Sequence, residues 1–509
     1  MDSASPRNER SEYQRLNFYT TFTQNTSAGD HTRCARYEDS RSPRYIFNCL
    51  TFLPVPQLAR PVITVVGGGF AGTALVLQLR RQAALAGAEI HLIEPRDVPG
   101  PGLAYTARRP EYLLNVRSGG LSLYPDAPNH FADWLKTQPE SAAGIPEFAS
   151  RAAYGRYLRE ELAPELATAA VHWHHTTSVA APPLPDGRRA VQLADGTTIS
   201  SDTVVLALGN FPPPPPTGPD HRYLQHPGYH ADPWALGNLR RIGPDEDVLL
   251  IGSGLTAVDV LLALRQDGHR APITVVARHG RWPSAHGPAT ASYPSFYPEL
   301  AHQTTVTGVV AVYKRHLKAA TAQGLDWRPV LDSMRPHLGR IWGAWPLAEQ
   351  RRFLQHLAGL WAVARHRSPP QNAEAVAALT AAGLVQLHIG TVREILLEGN
   401  RLRVGVRTHG LNTCWHTADH VVSCAGPLLD YARITDPLVV SLRTAGDLTP
   451  DPLHLGLLTD AHGALLAANG EISRNLFTLG PSRRPAYFES TAVPELRQQA
   501  AGLAAHLAQ

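Results

Sequence analysis

Two glycine constellations hold the residues whose types and spacing could do chemistry. In the first, Gly67, Gly69 and Gly72 fill a GxGxxG pattern directly after the apolar run Val62 to Val66. Gly67 permits a tight turn, Gly69 lets the backbone approach a pyrophosphate, and Gly72 lets a helix pack on a strand. The N-terminus of that helix, opened by Phe70, offers unpaired N–H groups to phosphates. About twenty residues on, the run Ile90 to Glu94 ends in an acid that can accept a hydrogen bond from an adenosine ribose. In the second constellation Gly252 and Gly254 precede Thr256, with Ala257 in the third glycine's place. The run Ile273 to Arg278 that follows ends in a cation instead. Arg278, with Arg281 nearby, could pair with a ribose 2′-phosphate and favour NADPH, or stack on adenine and tolerate NADH. Two such units suit two cofactors: a resident FAD on the Glu94 unit, and NADH or NADPH as a co-substrate that delivers hydride and leaves.

The elements that must position these residues occur in two copies. Val62 to Val66, a helix carrying Leu75, Leu77 and Leu79, and the strand ending at Glu94 make one βαβ unit. Val171 to Val179 reads as a strand, Arg189 to Ile199 as a hairpin around Asp195-Gly196, and Thr203 to Asn210 as an apolar strand closing at Gly209. The second copy is 247–259, Ile273 to Arg278, Leu384 to Val392, Arg401 to Arg407 and Val421 to Gly426. The expected fold is α/β with two Rossmann-like dinucleotide-binding domains, the second inserted in the first. Residues 1–59 read as a disordered extension, 60–216 and 428–509 as the FAD-binding domain, and 244–427 as the NAD(P)H-binding domain. A structureless loop at about 281–383 is improbable at that length, so a helical insertion is expected there. Pro212 to Pro216 make a stiff connection. Asn475 to Gly480 reads as a last strand, and Thr491 as the N-cap of a last helix with Pro494 in its first turn.

Composition bounds the alternatives. A chain of 509 residues has room for about two or three domains. Net charge is +4, and no Lys/Arg block or basic-aromatic stripe suggests nucleic acid. The four cysteines, Cys34, Cys49, Cys414 and Cys424, contain no CxxC pair. That spacing argues for a reducing, cytoplasmic setting and against a disulfide framework, a zinc ribbon or a redox-active dithiol. No apolar run approaches the roughly 20 residues that span a bilayer. Acidic residues within 1–59, such as Glu9, Glu12 and Asp30, speak against a transit peptide, and no secretory signal is visible. The pattern calls for no metal.

The motifs GGGFAG, LLNVRSGGLSLYPDAPNHFADWL, RAAYGRYL, VVLALGN, LLIGSGLTAVD, ITVVARHG, VVSCAGP and LFTLGPSRR, then FESTAVPELRQQA, follow one another in order. Over about residues 61–505 the chain resembles a bacterial FAD/NAD(P)-binding monooxygenase family that includes a FAD-dependent urate hydroxylase and an aspartate N-monooxygenase. More distantly it resembles flavin-containing monooxygenases and ornithine N-hydroxylases. The resemblance implies a glutathione-reductase-like pair of domains and a flavin C4a-hydroperoxide formed from O2 after reduction by NAD(P)H. Its first substrate expectation is urate, an anion, giving 5-hydroxyisourate. An aspartate-type amino-acid N-monooxygenase, or an NAD(P)H-dependent flavin reductase or oxidase, is the alternative. It places Asn115 against the flavin ring and Gly480 against the flavin or its ribityl chain, with the Thr491 helix start aimed at the flavin pyrimidine. His286, after the nicotinamide strand, is a candidate catalytic residue, and Arg365 and Arg367 are candidates for holding an anionic substrate. No oligomeric state is read from the sequence.

Overall fold

The computed structural model describes residues 60–509 apart from 107–108, 142–143, 217, 236, 409 and 411. The extension 1–59, with Cys34 and Cys49, lies outside the described residues. Val62–Val66 is a strand with its last four residues buried. Its β-branched side chains crowd a helix but fit a sheet covered on both faces. It lies inside a six-stranded sheet ordered Ala464–Leu466, Ile472–Thr478, Thr203–Leu206, Val62–Val66, Glu89–Ile93, Val171–His174. Only the first pair is antiparallel. A second sheet of five parallel strands is ordered Val385–Ile389, Ile273–Ala277, Val248–Ile251, His420–Ser423, Tyr229–His230.

In both sheets the chain takes the same path. The edge strand, Val171–His174 or Val385–Ile389, leaves into an antiparallel three-stranded meander and returns as the next parallel strand, Thr203–Leu206 or His420–Ser423. The meanders are Ser178–Ala180, Arg189–Leu193, Thr198–Ser201 in one copy and Thr391–Glu398, Arg401–Arg407, Thr413–Ala418 in the other. The architecture is therefore the α/β pair of dinucleotide units expected from the repeat. Two expected single strands are each split. Val171 to Val179 divides between sheets at 175–177, where His175 and Thr177 are exposed and bring no apolar face to hold one ladder. Leu384 to Val392 divides in the same way at Gly390.

The insertion is helical: Tyr297–Leu300, Val306–Ala322, Trp327–Met334, Leu338–Gly343, Leu347–His356, Ala358–Arg365 and Pro370–Ala381. Within it the helices Leu347–His356 and Ala358–Arg365 meet at Leu357. This cap has its own core, including Val309, Val330, Ile341, Trp342, Trp345 and Phe353, and that core also takes in Leu455 and Phe488 from the C-terminal part of the chain. Phe488 stacks on Trp342 at 4.8 Å and meets Phe353 edge-on at 5.1 Å. The cap is thus fastened by an aromatic plug belonging to the segment that follows Gly480.

The last helix is Val493–Leu507, capped at Ala492. Thr491 is exposed and is not the cap. Were it the cap, Pro494 would fall at the third helical position and lack the N–H that a threonine hydroxyl could accept there. Moving the start by one residue puts Pro494 at the second position, where the missing N–H costs little.

Candidate cofactor and active site

The two glycine turns are built by the same contacts. Gly67 donates its N–H to the Ile93 carbonyl at 2.8 Å, and Ala207 donates to the Val66 carbonyl at 2.8 Å. In the second copy Gly252 donates to Val276 at 2.8 Å and Cys424 to Ile251 at 2.9 Å. Gly67 has φ +109° and Gly252 φ +106°. A Cβ would lie 2.3 Å from the Ala207 oxygen in the first and 2.7 Å from the Cys424 oxygen in the second. Gly72 has no room either, since a Cβ would sit 1.9 Å from the Gly67 oxygen. Gly69 and Gly254 cap the helices Phe70–Arg80 and Leu255–Gln266 without any side-chain cap. The first-turn N–H groups of both helices are therefore left for an anion.

The two turns differ in exposure. A Cβ on Gly254 would meet nothing within 4 Å. A Cβ on Gly69 would stand 3.4 Å from the Gly102 Cα, and Gly100 donates to the Gly68 carbonyl at 2.7 Å. The segment around Gly100 and Gly102 covers the first turn and leaves the second uncovered. Sequence reasoning missed this segment, although a Gly-Pro-Gly in the loop after the acidic strand was its signal. Phe70 is buried and stacks on Tyr154 at 6.3 Å, and Thr256 is half-buried in the first turn of its helix.

Glu94 is buried beside the first turn. Its Oε2 accepts the Gly68 N–H at 2.9 Å, and its Oε1 accepts both the Arg96 N–H and the Arg96 guanidinium at 3.0 Å. Arg96, unread in the sequence, is the exposed partner that a ribose would meet at this carboxylate. In the second copy the strand ends at Ala277, and Arg278 follows it exposed, with no ion pair among the described residues. The donor sets fit the groups expected: a covered cradle with a buried acid for FAD, and an open cradle with a free guanidinium for a nicotinamide nucleotide.

Asn115 and His286 come together. His286 Nε2 donates to the Asn115 carbonyl at 3.0 Å, and Arg117 Nη1 approaches His286 Nδ1 at 3.5 Å. Arg117 also holds the Gly287 carbonyl and, at 2.5 Å, Glu147. His286 is fixed from behind by its N–H to the Ser368 carbonyl at 3.0 Å. Burial, then the charges of Arg117 and Arg367, push its pKa down to about 4 against the pull of the Asn115 carbonyl. It is a neutral group at pH 7. The Asn115 side-chain amide has no hydrogen bond among the described residues and stays free for a ligand.

The arginine candidates are occupied. Arg367 is buried and forms a two-pronged pair with Asp332 at 2.7 and 3.0 Å. Arg365 donates to Glu489 at 2.8 Å, and the Trp361 indole donates to the other Glu489 oxygen at 2.8 Å. Both guanidiniums tie the cap together or to the C-terminal segment. Gly480, with φ +90°, donates to Gln499 at 3.0 Å and accepts from Ser490 at 2.5 Å, while Gln499 donates to Ser490 at 2.7 Å. Ser490 and Gln499, also unread in the sequence, fix the glycine to the last helix. A Cβ on Gly209 (φ +69°) or Gly426 would meet nothing within 4 Å.

Residues 64–211 match the FAD-NAD(P)-binding family model. This stretch is an FAD–NAD(P)-binding domain. A curated relative, the nitrosuccinic acid synthase of Aspergillus oryzae, is 29% identical over 233 residues, a match covering 40% of this chain and 35% of the relative. The chain thus matches about a third of that relative's length. Among solved structures, the ornithine N-hydroxylase of Kutzneria sp. 744 aligns over 88% of this chain and 98% of its own, with TM-score 0.61 and 14% identity. The L-lysine 6-monooxygenase of Pseudomonas syringae aligns over 88% and 99%, with TM-score 0.60 and 18% identity. These two share the fold around the FAD–NAD(P)-binding domain, including the second dinucleotide unit. Among the described residues no helix is long and apolar enough to cross a membrane, and no group of three or more His, Cys, Asp or Glu could hold a metal.

Proposed function

We infer that the protein is an NADPH-dependent FAD monooxygenase that hydroxylates the amine of a small amino acid, with aspartate as the first substrate to test. The carrying observation is the contrast between the two turns. One cradle is covered by Gly102, as suits a resident cofactor, and its twin at Gly254 is open, as suits a nucleotide that must enter and leave. The nitrosuccinic acid synthase and the two N-oxygenating enzymes favour the amino-acid alternative over urate. The reaction balances as R–NH2 + O2 + NADPH + H⁺ giving R–NHOH + NADP⁺ + H2O.

FAD, when bound, supplies the electron relay and the oxygen transfer. The residues of the chain bind, orient and exclude water. Glu94 and the Phe70 helix terminus hold the ribose and pyrophosphate of FAD. Gly254 and Arg278 hold NADPH. The free Asn115 amide orients a ring or a substrate. His286 is a positioning residue: its Nε2–H holds the Asn115 carbonyl and its neutral ring adds no charge beside an amine. The cap, plugged by Phe488, shields the site from water, which protects reactive oxygen species on the way to product.

The test is to supply FAD-loaded protein with NADPH in air and add aspartate, ornithine, lysine or urate in turn. The expected result is aspartate-dependent NADPH loss matched by hydroxylamine product, with little H2O2. If no amine accelerates NADPH loss, the reading is overturned. If urate alone decays with matching NADPH loss, the substrate assignment moves to urate.

A further inference from the structure

A cavity of about 450 Å³ lies between the cap segment 335–339, the loop at Ala461 and His462, and one face of the last helix from Pro494 to Leu503. Glu94, Gly254, Asn115 and His286 do not line it. Arg483 does, and it is 2% exposed. Its Nη2 donates to the carbonyls of Asp460 at 3.2 Å and Ala461 at 2.8 Å, and its guanidinium carbon sits 4.8 Å over the Tyr487 ring. The Asp460 carboxylate makes no ion pair with it; its Oδ1 accepts the N–H groups of His462, Gly463 and Ala464 at 2.9, 2.8 and 2.8 Å. Among the described residues Arg483 forms no ion pair, and its Nε has no hydrogen-bond partner.

A guanidinium keeps its charge when buried, so a buried one without a counter-ion is costly unless something anionic joins it. The other charges at the cavity cancel. Arg335 pairs with Glu495 at 2.8 and 3.0 Å, and Glu489 is matched by Arg365. Arg483 is the cavity-lining cation left without an ion pair among the described residues. Burial pulls its pKa down, against the attraction of Tyr487 and of the Asp460 carboxylate. A planar carboxylate suits the fork of a guanidinium.

We propose that this cavity is a binding site for a small carboxylate, held by Arg483. The site is joined to the cofactor region, because Gln499 lines the cavity and accepts the Gly480 N–H. A carboxylate here would be sensed at the glycine that follows the last strand. The carboxylate could belong to a free acid or to the amino-acid substrate itself, and the two sources are separable.

The experiment is calorimetric titration of the FAD-loaded protein with succinate. Succinate has no amine to hydroxylate, so its binding is independent of the monooxygenase reading. Wild type should bind it saturably. Arg483→Gln should weaken binding about 10- to 100-fold, the expected loss of one charge-assisted contact. Gly502→Leu is the second variant. Gly502 lines the cavity and is exposed, and a Cβ there meets nothing within 4 Å. Leucine at a helical glycine favours folding, so this variant fills the mouth of the cavity without threatening the fold. Loss of succinate binding in both variants supports the site. Saturable binding that aspartate displaces assigns the carboxylate to the substrate, and binding that aspartate leaves intact assigns it to a separate acid. No saturable binding by wild type, or equal binding by wild type and both variants, overturns the proposal.

Discussion

The Nε2–H of His286 meets the backbone carbonyl of Asn115 at 3.0 Å, across 171 residues of sequence. This bond fixes the tautomer. With Nε2 donating, Nδ1 is an acceptor and faces the Arg117 guanidinium. A residue chosen for a catalytic role therefore has both nitrogens occupied in holding the loop that carries Asn115.

That arrangement has a pH signature. The folded pKa is lowered to about 4 from an ordinary 6.5. Between those values the unfolded chain binds the proton and the folded protein does not, so stability falls as the pH falls. The contribution is complete above about pH 6.5 and is lost as the pH drops through about 4. After discounting for partial exposure, the loss is about 1–2 kcal/mol. Unfolding free energies from urea titrations at pH 7 and 4.5 should differ by that much more in wild type than in His286→Gln. Identical pH dependence in the two proteins would contradict the assignment.

Gly254 stands in open space at a helix start, so a large side chain there should spare the fold and block the nucleotide. Gly254→Trp is expected to purify yellow with FAD and to melt close to wild type. Its flavin should no longer be bleached by NADPH under anaerobic stopped-flow conditions. Bleaching at the wild-type rate would remove the nicotinamide from this turn.

Arg278 supports no described contact, so its removal should be silent for stability. If it pairs with the 2′-phosphate, Arg278→Ala loses about 1.5–3 kcal/mol of NADPH recognition, a drop of roughly 10- to 100-fold in kcat/KM. NADH use should change little. Equal losses with both nucleotides would point to adenine stacking instead.

The duplicated plan was legible because both determinants are local. Gly67 and Gly252 are dictated by a strand-end turn pressed against a backbone oxygen, and the apolar runs before them have no other use. The strand breaks after His174 and at Gly390 were not legible, because the chain there changes sheets and neighbouring propensity does not record it. Thr491 failed as a cap for a reason written three residues away, in Pro494. Arg365 and Arg367 illustrate the harder limit. Residue type suggested anion binding, but their partners, Glu489 and Asp332, are 124 and 35 residues distant in sequence. Arg483 was passed over within the quoted LGPSRR motif, since its lack of an ion-pair partner is a property of the folded state alone.

Phe488 holds the cap through a strained backbone. It has φ +58°, one of two non-glycine residues at positive φ among those described, yet its ring is buried between Trp342, Phe353 and Trp361. Such a conformation costs about 1–3 kcal/mol and persists only where packing outweighs it. Phe488→Ala should lose about 3–5 kcal/mol of aromatic packing while keeping the strain. Phe488→Gly loses the same ring but tolerates positive φ, so it should be at least as stable as the alanine variant, the reverse of the usual order. Urea denaturation of the three proteins checks both statements. The functional consequence follows from the same contact. With the plug gone, water reaches the flavin side of the cap, and more of the NADPH oxidised should appear as H2O2 in either variant. If coupling is unchanged while stability falls as expected, Phe488 fastens the cap without sealing the site.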